Sequence, residues 1–254
     1  MVRMAVALAP ALCMLQAQAA CLARSGPQTV VLVELYTSEG CSSCPPADRW
    51  LAGLAGRYTP GQVVPLALHV DYWDYIGWKD PYAKREFSQR QRRLSQLQRA
   101  ALVYTPQVLL QGADFRRWDS VEFERAIARI NAQPARASLE LEILGVTAHA
   151  LALRASAAVA EPVNRTDAVL YVAAYEKGLE SGITAGEHRG RVLHHDYVVL
   201  EWRGPYALGT REVELELLPK AERTDSGVVA FVQNRRTGEV LQALSLAACA
   251  PGGL

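Results

Sequence analysis

The chain reads as an α/β domain with a partly parallel sheet, followed by an all-β, sandwich-like domain. Three observations predict this. In the first half, apolar β-branched runs alternate with amphipathic helical stretches, the pattern of a sheet covered by helices. Near Gln133-Pro134 the pattern changes to segments that alternate apolar and acidic residues, SLELEIL and later VELELL. With these two, seven short strand-like segments lie over about 110 residues, divided by turn formers such as NRTD and NRRTG, as in an antiparallel sandwich. The expected boundaries are 1–20 for a leader, 27–133 for the α/β domain with an inserted helix, and 135–250 for the sandwich.

The leader comes first. Arg3 precedes the apolar run AVALAPALCML, and Ala17-Gln18-Ala19 fits a small-residue cleavage signal, the form of a secretory signal peptide. The run is shorter than the roughly 20 residues a bilayer span needs, and no later stretch is longer. The mature chain is therefore expected in the periplasm or outside the cell, with no transmembrane segment. Cys21 lies near the cut and raises lipoprotein processing, although Gln18 suits that signal poorly.

TVVLVEL at 29–35 is a near-continuous apolar run, suited to a strand buried on both faces. From Cys44, Ala47, Trp50, Leu51, Leu54 and Tyr58 recur at helical spacing, with Pro45 and Pro46 in the first turn, where a missing N–H costs little. QVVPLALHV at 62–70 is a second buried strand. Residues 81–101 form a helix whose Lys84, Arg85, Arg90, Arg92, Arg93 and Arg99 read as a solvated basic face. VYTPQVLLQGADFRRW holds two short strands around a turn. SVEFERAIARIN at 120–131 is a helix capped by Ser120. The chain's 254 residues are half apolar and carry a net charge of +1, so no overall field favours nucleic acid or an anionic membrane.

The chemistry sits at TSEGCSSCPPAD, residues 37–48. A cysteine beside a helix N-terminus is stabilised as a thiolate by unpaired N–H groups and partial positive charge. Cys41 is then the nucleophile, and Cys44, about one turn on, resolves a mixed disulfide. Glu39 opposes this, since a nearby carboxylate raises a thiol pKa. Thr105-Pro106 opens a strand and suits a cis peptide bond. Glu34, an acid within an apolar strand, is a candidate proton shuttle if buried, or an edge residue facing water. Signal removal also removes Cys13. The even number left, Cys21, Cys41, Cys44 and Cys249, suits pairing in an oxidising compartment. Cys21 and Cys249, at opposite ends of the mature chain, then form either a structural disulfide or two free terminal thiols.

The strings VELYTSEGCSSCPPADRWL, ALHVDYWDYIGWKDP and YTPQVLLQG resemble the thioredoxin fold. More specifically, they resemble a secreted bacterial thioredoxin-like family catalogued as domain of unknown function 1223. The resemblance runs from about Val30 to the C-terminus. It implies a thioredoxin-like first domain, with Cys41 as nucleophile, Cys44 as resolving thiol and Pro106 as cis-proline. Ser42-Ser43 between the cysteines, the lack of a tryptophan before Cys41, and Pro45-Pro46 after Cys44 depart from the usual thioredoxin pattern.

Three functional readings remain open. The first is a thiol–disulfide oxidoreductase acting on a protein or small-molecule thiol or disulfide, without a cofactor, with Tyr72, Trp73 and Thr105 contacting the substrate. The second is a carrier of copper or another soft metal held by Cys41, Cys44 and His69. The third is a binding module with a structural disulfide. Asp71 reads as a turn cap. His194 and His195 alternate across a strand and should not share one metal; with His188 they read as structural.

Overall fold

The computed structural model describes residues 21–218 and 225–249; the expected leader lies outside them. The first half contains β1 (Leu22–Arg24), β2 (Val31–Thr37), α1 (Pro45–Ala52), β3 (Val63–His69), a 3-10 turn at Asp71–Ile76, α2 (Arg85–Leu97), β4 (Gln107–Leu110), β5 (Ala113–Asp114) and α3 (Val121–Asn131). The second half is almost wholly strand. It contains β6 (Ser138–Val146), β7 (Ala150–Ala158), β8 (Ala168–Glu176), β9 (Leu179–Gly182), β10 (Val192–His195), β11 (Val198–Tyr206), β12 (Gly209–Glu216), β13 (Ser226–Asn234) and β14 (Val240–Ala247).

An α/β thioredoxin-like domain followed by a separate all-β sandwich is not what these elements build. One eight-stranded sheet runs β14-β13-β8-β11-β3-β2-β4-β5 and crosses the expected division. The seam is a short parallel contact, Val198 opposite Ala67, reinforced by the Ala67 N–H donating to the Tyr197 carbonyl at 2.8 Å. Among the described residues only β2, β3 and β11 are joined in parallel; every other pairing is antiparallel, and the fold is mostly β.

The physical reason lies in β8 and β13. All nine residues of β8 are buried, and eight of the nine in β13, as befits strands covered on both faces. Leu170, Val172 and Ala174 pack toward a second sheet of order β1-β6-β7-β12, whereas Tyr171, Ala173 and Tyr175 join the core that also holds β2, β3 and α2. A freestanding sandwich would need one wet face. The outer sheet has it: β6, β7 and β12 alternate buried with more exposed residues along much of their length, as their sequence spacing predicts.

Local expectations hold with shorter bounds. The basic helix covers 85–97 rather than 81–101. Arg90 on it is not solvated but buried against Glu34. Ser120 sits at the N-cap of α3, yet its hydroxyl donates to the Arg117 carbonyl instead of capping the helix. Cys21 and Cys249, 228 residues apart, are disulfide-bonded and fasten the start of the described chain beside its end. A sulfur so bonded carries no thioether-linked lipid. No helix among the described residues is long and apolar enough to cross a membrane.

Candidate functional site

Cys41 and Cys44 form a disulfide with Cα atoms 5.4 Å apart. β2 delivers the chain to a tight turn in which the Cys44 N–H donates to the Cys41 carbonyl. Helix α1 follows at once, with Cys44 as its N-cap and Pro45 and Pro46 as its first residues. The helix thus begins at the second cysteine. The two prolines remove N–H donors that would face a Cys44 thiolate. The Ser43 hydroxyl lies 3.5 Å from the Cys41 sulfur. Both sulfurs are buried, while Ser42 and Ser43 are exposed.

Beside this turn lies a buried cluster of acids and imidazoles. The Glu39 carboxylate accepts from Trp78 Nε1 at 2.7 Å and lies 3.0 Å from His195 Nε2. The Glu39 N–H donates to Asp80 Oδ2, and that oxygen lies 2.7 Å from His69 Nδ1. His188 Nδ1 lies 2.8 Å from the Glu39 carbonyl oxygen. The His69 and His195 rings meet edge to face, 5.0 Å between centroids. Asp48, on α1 four residues after Cys44, has its carboxyl flanked by Thr37, His69 and His195.

The charges of this cluster follow from its packing. Burial draws the His69 imidazole down, but the charge and hydrogen bond of Asp80 more than offset it, helped by Asp48 and Glu39, so its pKa is raised. Burial pushes Asp80 up, but His69 and the N–H groups of Glu39 and Tyr82 hold it below the usual carboxylate range. Burial pushes the Asp48 carboxyl up, and its neighbours pull it back only in part. His69 Nε2, His195 Nδ1 and His188 Nε2 are buried without a hydrogen-bond partner. Groups of this kind with unspent hydrogen-bonding capacity suit proton exchange.

The remaining candidates fall into two groups. The Thr105-Pro106 peptide is cis, and Thr105 Oγ1 accepts from Trp73 Nε1 at 2.7 Å. Trp73 in turn packs on the cysteine loop, for a Cβ at Gly40 would fall 3.1 Å from Trp73 Cβ. Tyr72 donates to Gln91 Oε1, which ties this wall to α2. Glu34 stands apart. It and Thr37 are three residues apart on one strand and so project to opposite faces. Its two oxygens are held by Arg90 at 2.6 and 3.1 Å. Asp71 accepts from Ser88 on α2. Among the described residues no three Cys, His, Asp or Glu side chains are arranged to hold a metal ion, and the Cys41 and Cys44 sulfurs are bonded to each other.

Sequence reasoning missed Asp48, Asp80 and the meeting of Glu39 with His195. Asp48 had a readable signal, its spacing of four from Cys44 on a helix. The Glu39–His195 contact spans 156 residues and had none. The β9–β10 hairpin that carries His195 was likewise unforeseen. It packs over α1 and the cysteine loop, with Gly186 against Trp78.

Two solved structures share this fold. A protein from Agrobacterium tumefaciens is 23% identical, with a TM-score of 0.62, over 87% of this chain and 96% of that one. HBP35 of Porphyromonas gingivalis is 17% identical, with a TM-score of 0.63, over 88% of this chain and 76% of that one. No curated protein matches the chain. The model of a protein family of unknown function, DUF1223, matches residues 32–233, a span from β2 through β13 that includes the cysteine turn, and the chain therefore belongs to that family.

Proposed function

We propose that this protein exchanges disulfides with a thiol-bearing partner in an oxidising compartment outside the cytoplasm. The observation that carries the reading is a four-residue disulfide turn set at a helix start beside a buried, partly unsatisfied acid–imidazole cluster. The leader-like first twenty residues and the two disulfides suit the compartment. A partner thiolate attacks the Cys41 sulfur. The Cys41–Cys44 bond breaks and a mixed disulfide forms at Cys41. Cys44 leaves as a thiolate and takes a proton from the Asp48 carboxyl, which lies one turn along α1. A second partner thiol then attacks the partner sulfur of the mixed disulfide, the bond to Cys41 breaks, and the proton of the attacking thiol passes to the departing Cys41 sulfur. The partner becomes the oxidised disulfide, and both cysteines end as thiols. Run backwards, Asp48 accepts the Cys44 proton as that thiol attacks.

Cys41 is assigned as the attacked sulfur because the exposed Ser42-Ser43 turn lies beside it and Ser43 offers its thiolate a hydroxyl. Trp73, Tyr72 and Thr105 would bear on the partner, and the Trp73 wall must move to admit it, since both sulfurs are covered. That coverage favours a second reading, in which the pair only staples the loop to α1.

One experiment separates the two. The reduced Cys44→Ser protein is mixed with oxidised glutathione and examined by mass spectrometry. Exchange chemistry yields a glutathione adduct at Cys41, with no comparable adduct in Cys41→Ser. A wild-type Cys41–Cys44 bond that resists dithiothreitol under native conditions would establish the staple.

A further inference from the structure

The large sheet splits at the start of β3. β11 meets β3 only at Val198 opposite Ala67, so Val63–Leu66 lack a partner strand on that side. Pro65 sits within this stretch, a residue that suits an unpaired strand edge. The gap is a cavity of about 340 Å³, within the range of small-molecule pockets. None of residues 37–44 lines it, so it is distinct from the cysteine site.

Its walls are apolar: Leu54, Val63, Val64, Val229 and Leu246. Its polar groups are of another kind. Lys177 is the one charged residue among the described lining residues, and it lies over the Tyr197 ring, 6.0 Å from the centroid. Tyr175 stands beside Tyr197, 5.5 Å between ring centroids. Burial, then Tyr197, pushes the Tyr175 phenol up to about 12, and burial and Asp196 raise Tyr197. Both phenols therefore stay protonated at neutral pH and can donate. Gly227 makes this arrangement possible, since a Cβ there would fall 2.4 Å from the Tyr175 oxygen.

An ammonium with the neighbouring Tyr175 and Tyr197 hydroxyls, Tyr58 and Ser245 adding further hydroxyls and no carboxylate among the described lining residues, favours an anionic group, and the walls favour a hydrocarbon body. We propose that this cavity binds a small amphipathic monocarboxylate, its carboxylate held by Lys177 with the Tyr175 and Tyr197 hydroxyls and its apolar body against Leu54, Val63 and Val229.

Calorimetric titration of the oxidised full-length mature protein with decanoate tests this, with decanol as the uncharged control. Decanoate should bind at one site and decanol much more weakly. Lys177→Met should weaken decanoate roughly tenfold or more, the cost of one charge-assisted contact. Ala55 is exposed at the rim, so Ala55→Trp should block binding without disturbing the core. Absence of decanoate binding overturns the proposal. So does equal binding of decanol, or a Lys177→Met protein that binds decanoate as wild type does. None of these results depends on the reactivity of the cysteines.

Discussion

Two buried acids, Glu34 and Glu39, lie five residues apart and live in opposite circumstances. Glu34 is saturated. Arg90 grips both its oxygens, Gln233 takes a further Arg90 N–H, and the guanidinium lies over Tyr171, Trp202 and Phe231 at 5.2, 4.6 and 5.2 Å. Glu39 belongs to a cluster with capacity to spare, where three imidazole nitrogens have no partner. A saturated buried pair has no reason to move a proton, because either change of charge strands its partner. An unsaturated cluster beside a disulfide can do so at lower cost. Burial of an acid is therefore a poor guide to function, and the completeness of its hydrogen bonding is a better one.

The largest expected effect breaks the saturated side. Arg90→Met leaves Glu34 buried and unpaired and should destabilise the protein by about 3–5 kcal/mol, measured by urea unfolding at pH 7. Adding Glu34→Gln should recover much of that loss. If Arg90→Met costs nothing, the contrast between the two acids fails.

The second effect concerns His69 and Asp80. The folded His69 pKa is raised, so its contribution is fully present below its unfolded value, about 6.5, and is lost as pH rises through the folded value. The folded Asp80 pKa is lowered, so its contribution is present above about 3.9 and is lost as pH falls through the folded value. The pair should therefore stabilise the fold most between those limits, by about 1.5–3 kcal/mol. Unfolding midpoints measured from pH 4 to 9 should show a component that declines above pH 6.5. Asp80→Asn should flatten it, and an unchanged profile would exclude the pair as its source.

The smallest effect concerns the cysteine turn. Ser43→Ala removes the hydroxyl 3.5 Å from the Cys41 sulfur and should slow alkylation of Cys41 in the reduced protein roughly two- to threefold at pH 7, with stability unchanged. A faster reaction would mean that Ser43 shields the sulfur rather than supporting its thiolate.

Much of the element order was legible. Apolar runs marked β2 and β3, helical spacing marked α1 and α3, and alternation marked β6, β7 and β12. The union of the two halves into one sheet was not, although AVLYVAAY and GVVAFVQ carried the sign of it. Their apolar residues do not alternate, as strands buried on both faces require, whereas a sandwich strand with one wet face would alternate. At the site, the cysteines, Trp73, Thr105 and His69 were readable by type and spacing. Glu34 was readable as buried or edge, but nothing local linked it to Arg90, 56 residues on. The alternation that sends His194 and His195 to opposite faces argues only against a shared metal; nothing local points His195 to Glu39, 156 residues away.

The amino-acid order set what neighbours along the chain can settle alone: strand and helix periods, the cysteine turn, and the prolines that open α1. Contacts are short-ranged in space and indifferent to distance along the chain, so everything made by remote residues waited on folding. Which acid is paired with an arginine, which sits among imidazoles with unpartnered nitrogens, and where the sheet parts to leave a cavity all belong to that second class.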